Sequence, residues 1–191
     1  MSEKEQIENF FKEYVFGFMC GDIERAMQQG CNFLCALGLV AYTEIMGRLV
    51  IGKLGEEGYG KESFCSFLRY MGEKYVELDK IYNLYKKVRC GLVHEYFIVG
   101  PSTISMDVIS ALETGIKIDE KGITYFYVPT YFQNFKEASK RYLDELLAEE
   151  NIEGRRRFLE TIQGKVEDIS KLREINQGVS GDIYYTFGRG M

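Results

Sequence analysis

The stretch VRCGLVHEYF, residues 88–97, carries the single histidine of a 191-residue chain, His94. Arg89 precedes it by five positions and Tyr96 follows it by two. An imidazole titrates near neutrality and can take and return a proton. A guanidinium stays charged and suits the spread negative charge of a phosphorane. Together they supply what phosphodiester cleavage needs: a proton-transfer group for the attacking hydroxyl or the leaving oxygen, and a fixed cation. The chain has ten arginines, so this spacing is a weak pattern by itself. The plain alternative is a surface imidazole stabilised by the dipole at a helix C-terminus.

Glu44 and Arg48 are the second pair of interest. They interrupt the most apolar run, FLCALGLVAYTEIMGRLVIG (33–52), at i, i+4 spacing. They read as a buried ion pair or as the polar wall of an active groove. Glu95 is a candidate to orient the imidazole, with a solvated carboxylate as its plainer role. Arg155, Arg156 and Arg157 form the only basic run. They read as a solvated helix start or as a contact to an RNA backbone. Tyr125, Phe126, Tyr127, Tyr131 and Phe132 are numerous enough to stack bases, although a sheet packed on helices needs such residues too.

The elements that must position these groups follow from apolar periodicity. Residues 3–18 read as an amphipathic helix through Ile7, Phe10, Phe11, Tyr14, Val15 and Phe18, broken by Gly21. A long helix from about Asp22 to Leu54 is apolar nearly all round, as expected for the middle of a bundle. KLGEEGYGKES is a glycine-rich loop, followed by a short helix with Phe64, Phe67, Leu68 and Met71 on one face. A fourth helix from near Leu78 buries Ile81, Leu84, Tyr85, Val88 and Leu92. At about 100° per residue it places Arg89 on the flank of that stripe and His94 about 140° further round, facing outward. Glu95 and Tyr96 turn back towards the core if the helix persists. After residue 97 the period changes. FIVGPSTISMDVI and TGIKIDEKGITYFYV read as strands, with DEKG as a hairpin turn and Pro129 as the end of the second. Two further helices follow, carrying Phe135, Ala138, Tyr142 and Leu146, then Phe158, Ile162, Val166 and Ile169. The tail NQGVSGDIYYTFGRGM reads as irregular.

Composition narrows the function classes. The chain is 46% apolar and carries net charge −5, so it has material for a core but no electrostatic footprint of a tight duplex binder. The charged N-terminus lacks a signal-peptide core, and Thr43, Glu44 and Arg48 argue against a membrane span in 33–52, which points to a cytoplasmic protein without a membrane partner. Five cysteines with no CxxC pair point the same way, to reduced thiols. Cys31 and Cys35 share a helix face and could hold zinc with His94, but a fourth ligand is missing, and no metal or cofactor is expected. P-loop, Rossmann and serine-hydrolase signatures are absent.

RCGLVHEY, ending an apolar helix of a helical bundle, resembles the R-x4-H-x-Y variant of the HEPN family. The resemblance covers roughly residues 1–97 as an architecture and 89–96 as a motif. It implies a mainly α fold with a HEPN-like antiparallel helical bundle over 1–97; the added β-hairpin or small sheet and C-terminal helices of 98–191, read from the residue pattern and not a standard part of the family core, are expected to pack on it. It also implies a metal-independent endoribonuclease of the toxin or phage-defence type, in which His94 transfers protons and Arg89 stabilises the phosphorane. Tyr96 would be a target for adenylylation by a partner nucleotidyltransferase; an antitoxin is the other partner implied. Cys90 departs from the polar residue that often follows the arginine in active members. A catalytically silent module that binds a partner protein or a nucleotide is therefore the rival reading. One imidazole can hardly serve both faces of a phosphate, so a homodimer with two His94 in one groove is expected, with RNA as substrate.

Overall fold

The computed structural model describes residues 1–109 and 111–163. The expected tail, and the second half of the last helix with Val166 and Ile169, lie outside the described residues. The architecture is mainly helical with a small three-stranded sheet.

Helix α1, Glu3–Phe10, starts in a reciprocal cap: Ser2 accepts from the Glu5 amide, and the Glu5 carboxylate accepts from the Ser2 amide. It passes without a break through a π-helical segment, π1, Phe11–Met19, into α2, Cys20–Gln28. Gly21 therefore does not break the helix. Its intrinsic cost of about 1 kcal/mol is outweighed by neighbours on the buried face, Cys20 and Ile23. The break falls later, at Gly30. Its φ of 66° lets Cys31 donate to the Ala26 carbonyl and Gly30 to that of Met27, the paired bonds of a Schellman ending. The single long helix expected from Asp22 to Leu54 is thus two elements, and α3 is Asn32–Ile51.

Helix α3 is the axis of the bundle. By length and hydropathy alone it could cross a membrane, yet half of that window is buried inside the protein. It packs most extensively on α4, Gly60–Met71. The two approach so closely that a Cβ on Gly47 would lie 1.7 Å from the Ser63 carbonyl oxygen. Helix α5, Glu73–Tyr82, begins earlier than expected and stops at Asn83, whose φ of 51° is left-handed. A second π-helical segment, π2, spans Tyr85–Glu95 and ends at Tyr96, again left-handed at φ 68°.

The strands are shorter than their sequence patterns. They are β1 Ser102–Ser105, β2 Ile116–Ile118 and β3 Thr124–Tyr127, in the order β1-β3-β2. β2 and β3 form the antiparallel hairpin through the DEKG turn, where Asp119 Oδ1 accepts from the amides of Lys121 (3.0 Å) and Ile123 (2.8 Å). β1 pairs parallel to β3. β3 ends at Tyr127, and Pro129 lies in the first turn of α6, Val128–Leu147, where a missing N–H costs nothing. A seventh helix, α7, starts at 152 and is described to 163.

One buried cluster draws on both halves of the chain, including Phe11, Leu39, Phe67, Phe126, Phe135 and Phe158. Two buried hydrogen bonds pin α6 along α3. The Thr43 hydroxyl donates to Leu39 O (2.8 Å) and so accepts from the Tyr131 hydroxyl (3.0 Å); the Tyr142 hydroxyl donates to Leu49 O (3.1 Å). Glu44 and Arg48 therefore project from a rigid helix.

Candidate active site

The π-helical form of Tyr85–Glu95 decides the geometry of the motif. In an α-helix, residues four apart stack; in a π-helix the i→i+5 repeat stacks residues five apart. Arg89 and His94 have that spacing. His94 is exposed, as expected, but the separation from Arg89 implied by 100° steps is corrected: the wider turn brings the imidazole over Arg89, with Nη1 of Arg89 3.3 Å from Nε2 of His94. Long-range contacts accompany the wide turn. Residues 97–99 fold back across Gly91, where a Cβ would meet the Phe97 carbonyl oxygen at 2.4 Å, and the Val99 amide donates to the Lys87 carbonyl at 2.9 Å. Val88 and Leu92 anchor the segment in the core.

A guanidinium has only N–H donors, so His94 Nε2 must accept.

Arg89 is held from two elements, α3 and its own segment π2. Its Nε lies 2.5 Å from Oε2 of Glu44, an ion pair in which the N–H is off the line of approach, so that it is a charge contact more than a directed hydrogen bond. Its guanidinium carbon lies 5.7 Å from the Tyr85 ring centre. Burial, with Cys90 and Glu44 close by, raises the Tyr85 phenol, which therefore stays protonated near neutrality. Gly60, at the start of α4, completes the wall: a Cβ there would sit 2.4 Å from the Tyr85 hydroxyl and 3.3 Å from Glu44 Oε1. Glu44, only 5% exposed, takes the Arg48 fork on Oε1, from Nε at 3.2 Å and Nη2 at 3.1 Å. Arg48 also donates to the carbonyls of Lys53 and Glu56, closing the loop after α3. Two guanidiniums share one carboxylate, which leaves a surplus positive charge beside His94. The second amino group of Arg89 has no hydrogen-bond partner among the described residues.

The structure thus assembles Arg89, His94, Glu44 and Arg48. Tyr85 and Gly60 escaped sequence reasoning. Tyr85, four residues before Arg89, had a readable signal in that spacing; Gly60 had none. Glu95 is exposed and makes no hydrogen bond to His94. Tyr96 does not turn into the core. It is 60% exposed and stacks on Phe33, 3.8 Å between ring centres. The arginine run goes elsewhere. Arg155 is buried and donates to the carbonyls of Leu146, Ala148 and Glu149, capping the C-terminus of α6. Arg156 is paired with Glu153 and Glu160. The exposed Arg157 packs its stem against Gly52. Among the described residues no group of three or more His, Cys, Asp and Glu side chains is placed to hold a metal ion, so Cys31, Cys35 and His94 are not gathered.

No protein-family model, curated protein or solved structure matches this chain.

Proposed function

We infer that the chain is a metal-independent endoribonuclease of HEPN type, a toxin or phage-defence effector of the cytoplasm. The observation that carries this reading is the Arg89–His94 contact at 3.3 Å, backed by Glu44. In this reading the scissile phosphate draws Arg89 Nη1 away from His94 Nε2, and the freed Nε2 takes the proton from a ribose 2′-hydroxyl. The oxygen attacks phosphorus, and Arg89 stabilises the charge on the phosphorane. The P–O5′ bond breaks as the leaving oxygen is protonated, giving a 2′,3′-cyclic phosphate and a 5′-hydroxyl.

The acid on the far side of phosphorus is His94 of a second protomer, because the chain has one histidine. The surface around the motif supports a homodimer. Val93, Tyr96, Phe97 and Val99 are large apolar residues exposed within one short stretch, Phe97 at 69%. Leu34, also exposed, follows Phe33, which stacks on Tyr96. Such a patch is costly to leave in water and suits a two-fold contact. The exposed Tyr96 phenol is a site that a nucleotidyltransferase could adenylylate, placing bulk and negative charge against the substrate phosphate; an antitoxin would cover the same groove.

One observation favours the rival reading, a catalytically silent HEPN-like module that binds a protein or nucleotide: the Arg89 side chain is only 16% exposed and already paired with Glu44, and Cys90 follows it. A single experiment separates the two. Wild-type protein, Arg89→Ala and His94→Ala are incubated with RNA in EDTA. The ribonuclease reading requires cleavage to cyclic-phosphate ends that drops at least about 100-fold in both variants. Cleavage abolished by EDTA, or kept in His94→Ala, overturns it.

A further inference from the structure

The sheet has two unlike faces. On the inner face, Phe126 is buried and stacks on Tyr131 at 4.8 Å, with Thr124 and Ile116 buried beside it. The register places Thr103 and Ser105 of β1, Tyr125 and Tyr127 of β3, and Lys117 of β2 on the outer face. The Tyr125 and Tyr127 rings stand 6.2 Å apart with only 11° between their planes, and neither stacks on any other described ring. Tyr125 donates its hydroxyl to Asp119 Oδ2 at 3.3 Å, which ties the ring to the hairpin turn. Lys117, exposed, is the direct cross-strand partner of Tyr125. On the other side Thr103 is exposed, while Ser105 is engaged with Asp107.

We propose that this outer face is a stacking platform for unpaired bases of single-stranded RNA, an inference that rests on the ribonuclease reading. Every base offers a π-face, so two parallel tyrosines accept bases with little sequence preference. The Lys117 ammonium is placed for the phosphate that follows a stacked base, and the Thr103 hydroxyl for the sugar. A second sheet packing here would need an aliphatic layer, and the paired strand residues on this face, Thr103, Ser105, Lys117, Tyr125 and Tyr127, include no aliphatic side chain. The platform is also linked to the motif. Asn32 donates to the Ile104 carbonyl of β1 at 3.0 Å, and the next residue, Phe33, stacks on Tyr96. The first two residues of α3 therefore hold both β1 and the end of the Arg89–His94 segment. Of the five aromatics in this region, Phe126, Tyr131 and Phe132 are buried, which leaves Tyr125 and Tyr127 for this role.

The test uses the full chain carrying His94→Ala, which binds without cutting, and a fluorescent single-stranded oligoribonucleotide read by anisotropy. Adding Tyr125→Ala or Tyr127→Leu is expected to weaken binding about tenfold or more, the usual scale for losing one stacked base. Tyr127→Leu keeps apolar bulk on the strand, so its loss reports the ring and not folding. Tyr125→Phe is expected to bind within about twofold of the parent. The same RNA closed into a hairpin is expected to compete poorly. In the cutting-competent background the effect falls on KM. Unchanged binding and KM in Tyr125→Ala and Tyr127→Leu, with cleavage still lost in His94→Ala, overturns the platform and leaves the ribonuclease standing. No RNA bound by the His94→Ala parent, together with no cleavage by wild type, removes both.

Discussion

Glu44 is the residue on which the site most depends, and its removal has a computable consequence. It faces Arg89 at 2.5 Å and Arg48 at 3.1 Å, all three side chains largely out of water. At an effective dielectric of about 20, these contacts are worth about 6–7 and about 5 kcal/mol gross. Desolvation of three ions offsets most of that. The net cost of taking out the shared carboxylate is about 3–5 kcal/mol, because two guanidiniums are then left facing each other without an anion. Arg89→Ala is milder, about 2 kcal/mol, since the Arg48 fork still satisfies Glu44. Urea unfolding of Glu44→Ala, Arg89→Ala and the double variant measures this. The double variant is expected to be more stable than the sum of the single losses implies, by at least about 1 kcal/mol. Glu44→Gln should also lose stability despite its matched shape, because an amide NH2 cannot accept from a guanidinium. Additive single losses, or a Glu44→Ala loss no larger than that of Arg89→Ala, would refute the shared-carboxylate account. So would full cleavage by folded Glu44→Gln, if the charge contact is what aims Arg89 at phosphate.

Other outcomes follow from single contacts. Gly47→Ala places a methyl 1.7 Å from the Ser63 oxygen, backbone against backbone, and is expected to cost about 3 kcal/mol, seen as a lowered Tm; a wild-type Tm would mean that α3 and α4 do not approach so closely. Tyr131→Phe removes one buried donor to Thr43 and should cost about 1 kcal/mol in denaturant titration without changing m. Burial pushes the Cys20 thiol up to about 12; burial and then the Asp79 carboxylate push Cys65 to about 11. A raised thiol stays protonated and unreactive at pH 8, so iodoacetamide should spare both in the folded protein and modify all five cysteines in urea, as mass spectrometry would read.

The sequence by itself determined what depends on neighbours a few residues apart. The helical stripes through Ile7, Phe11 and Val15 and through Phe64, Phe67 and Leu68 are buried as their spacing requires. The DEKG turn forms because the Asp119 carboxylate can reach the amides two and four residues on, those of Lys121 and Ile123. Glu44 and Arg48 pair because one helical turn separates them. What tertiary structure alone decided is where these pieces meet. Gly21 read as a helix end and Gly30 as helix interior, yet packing of Cys20 and Ile23 carried the chain through the first and the break fell at the second. Of the tyrosines and phenylalanines around the sheet, the strand register selected which face outward. The candidate site is the clearest case. Arg89 and His94 were legible as residue types, but a uniform 100° step set them apart. The π-helical turn that stacks them comes with contacts made by residues 97–99, and the carboxylate that holds Arg89 comes from α3. Local periodicity carries no information about such distant partners, so the motif could be read from the sequence while its geometry could not.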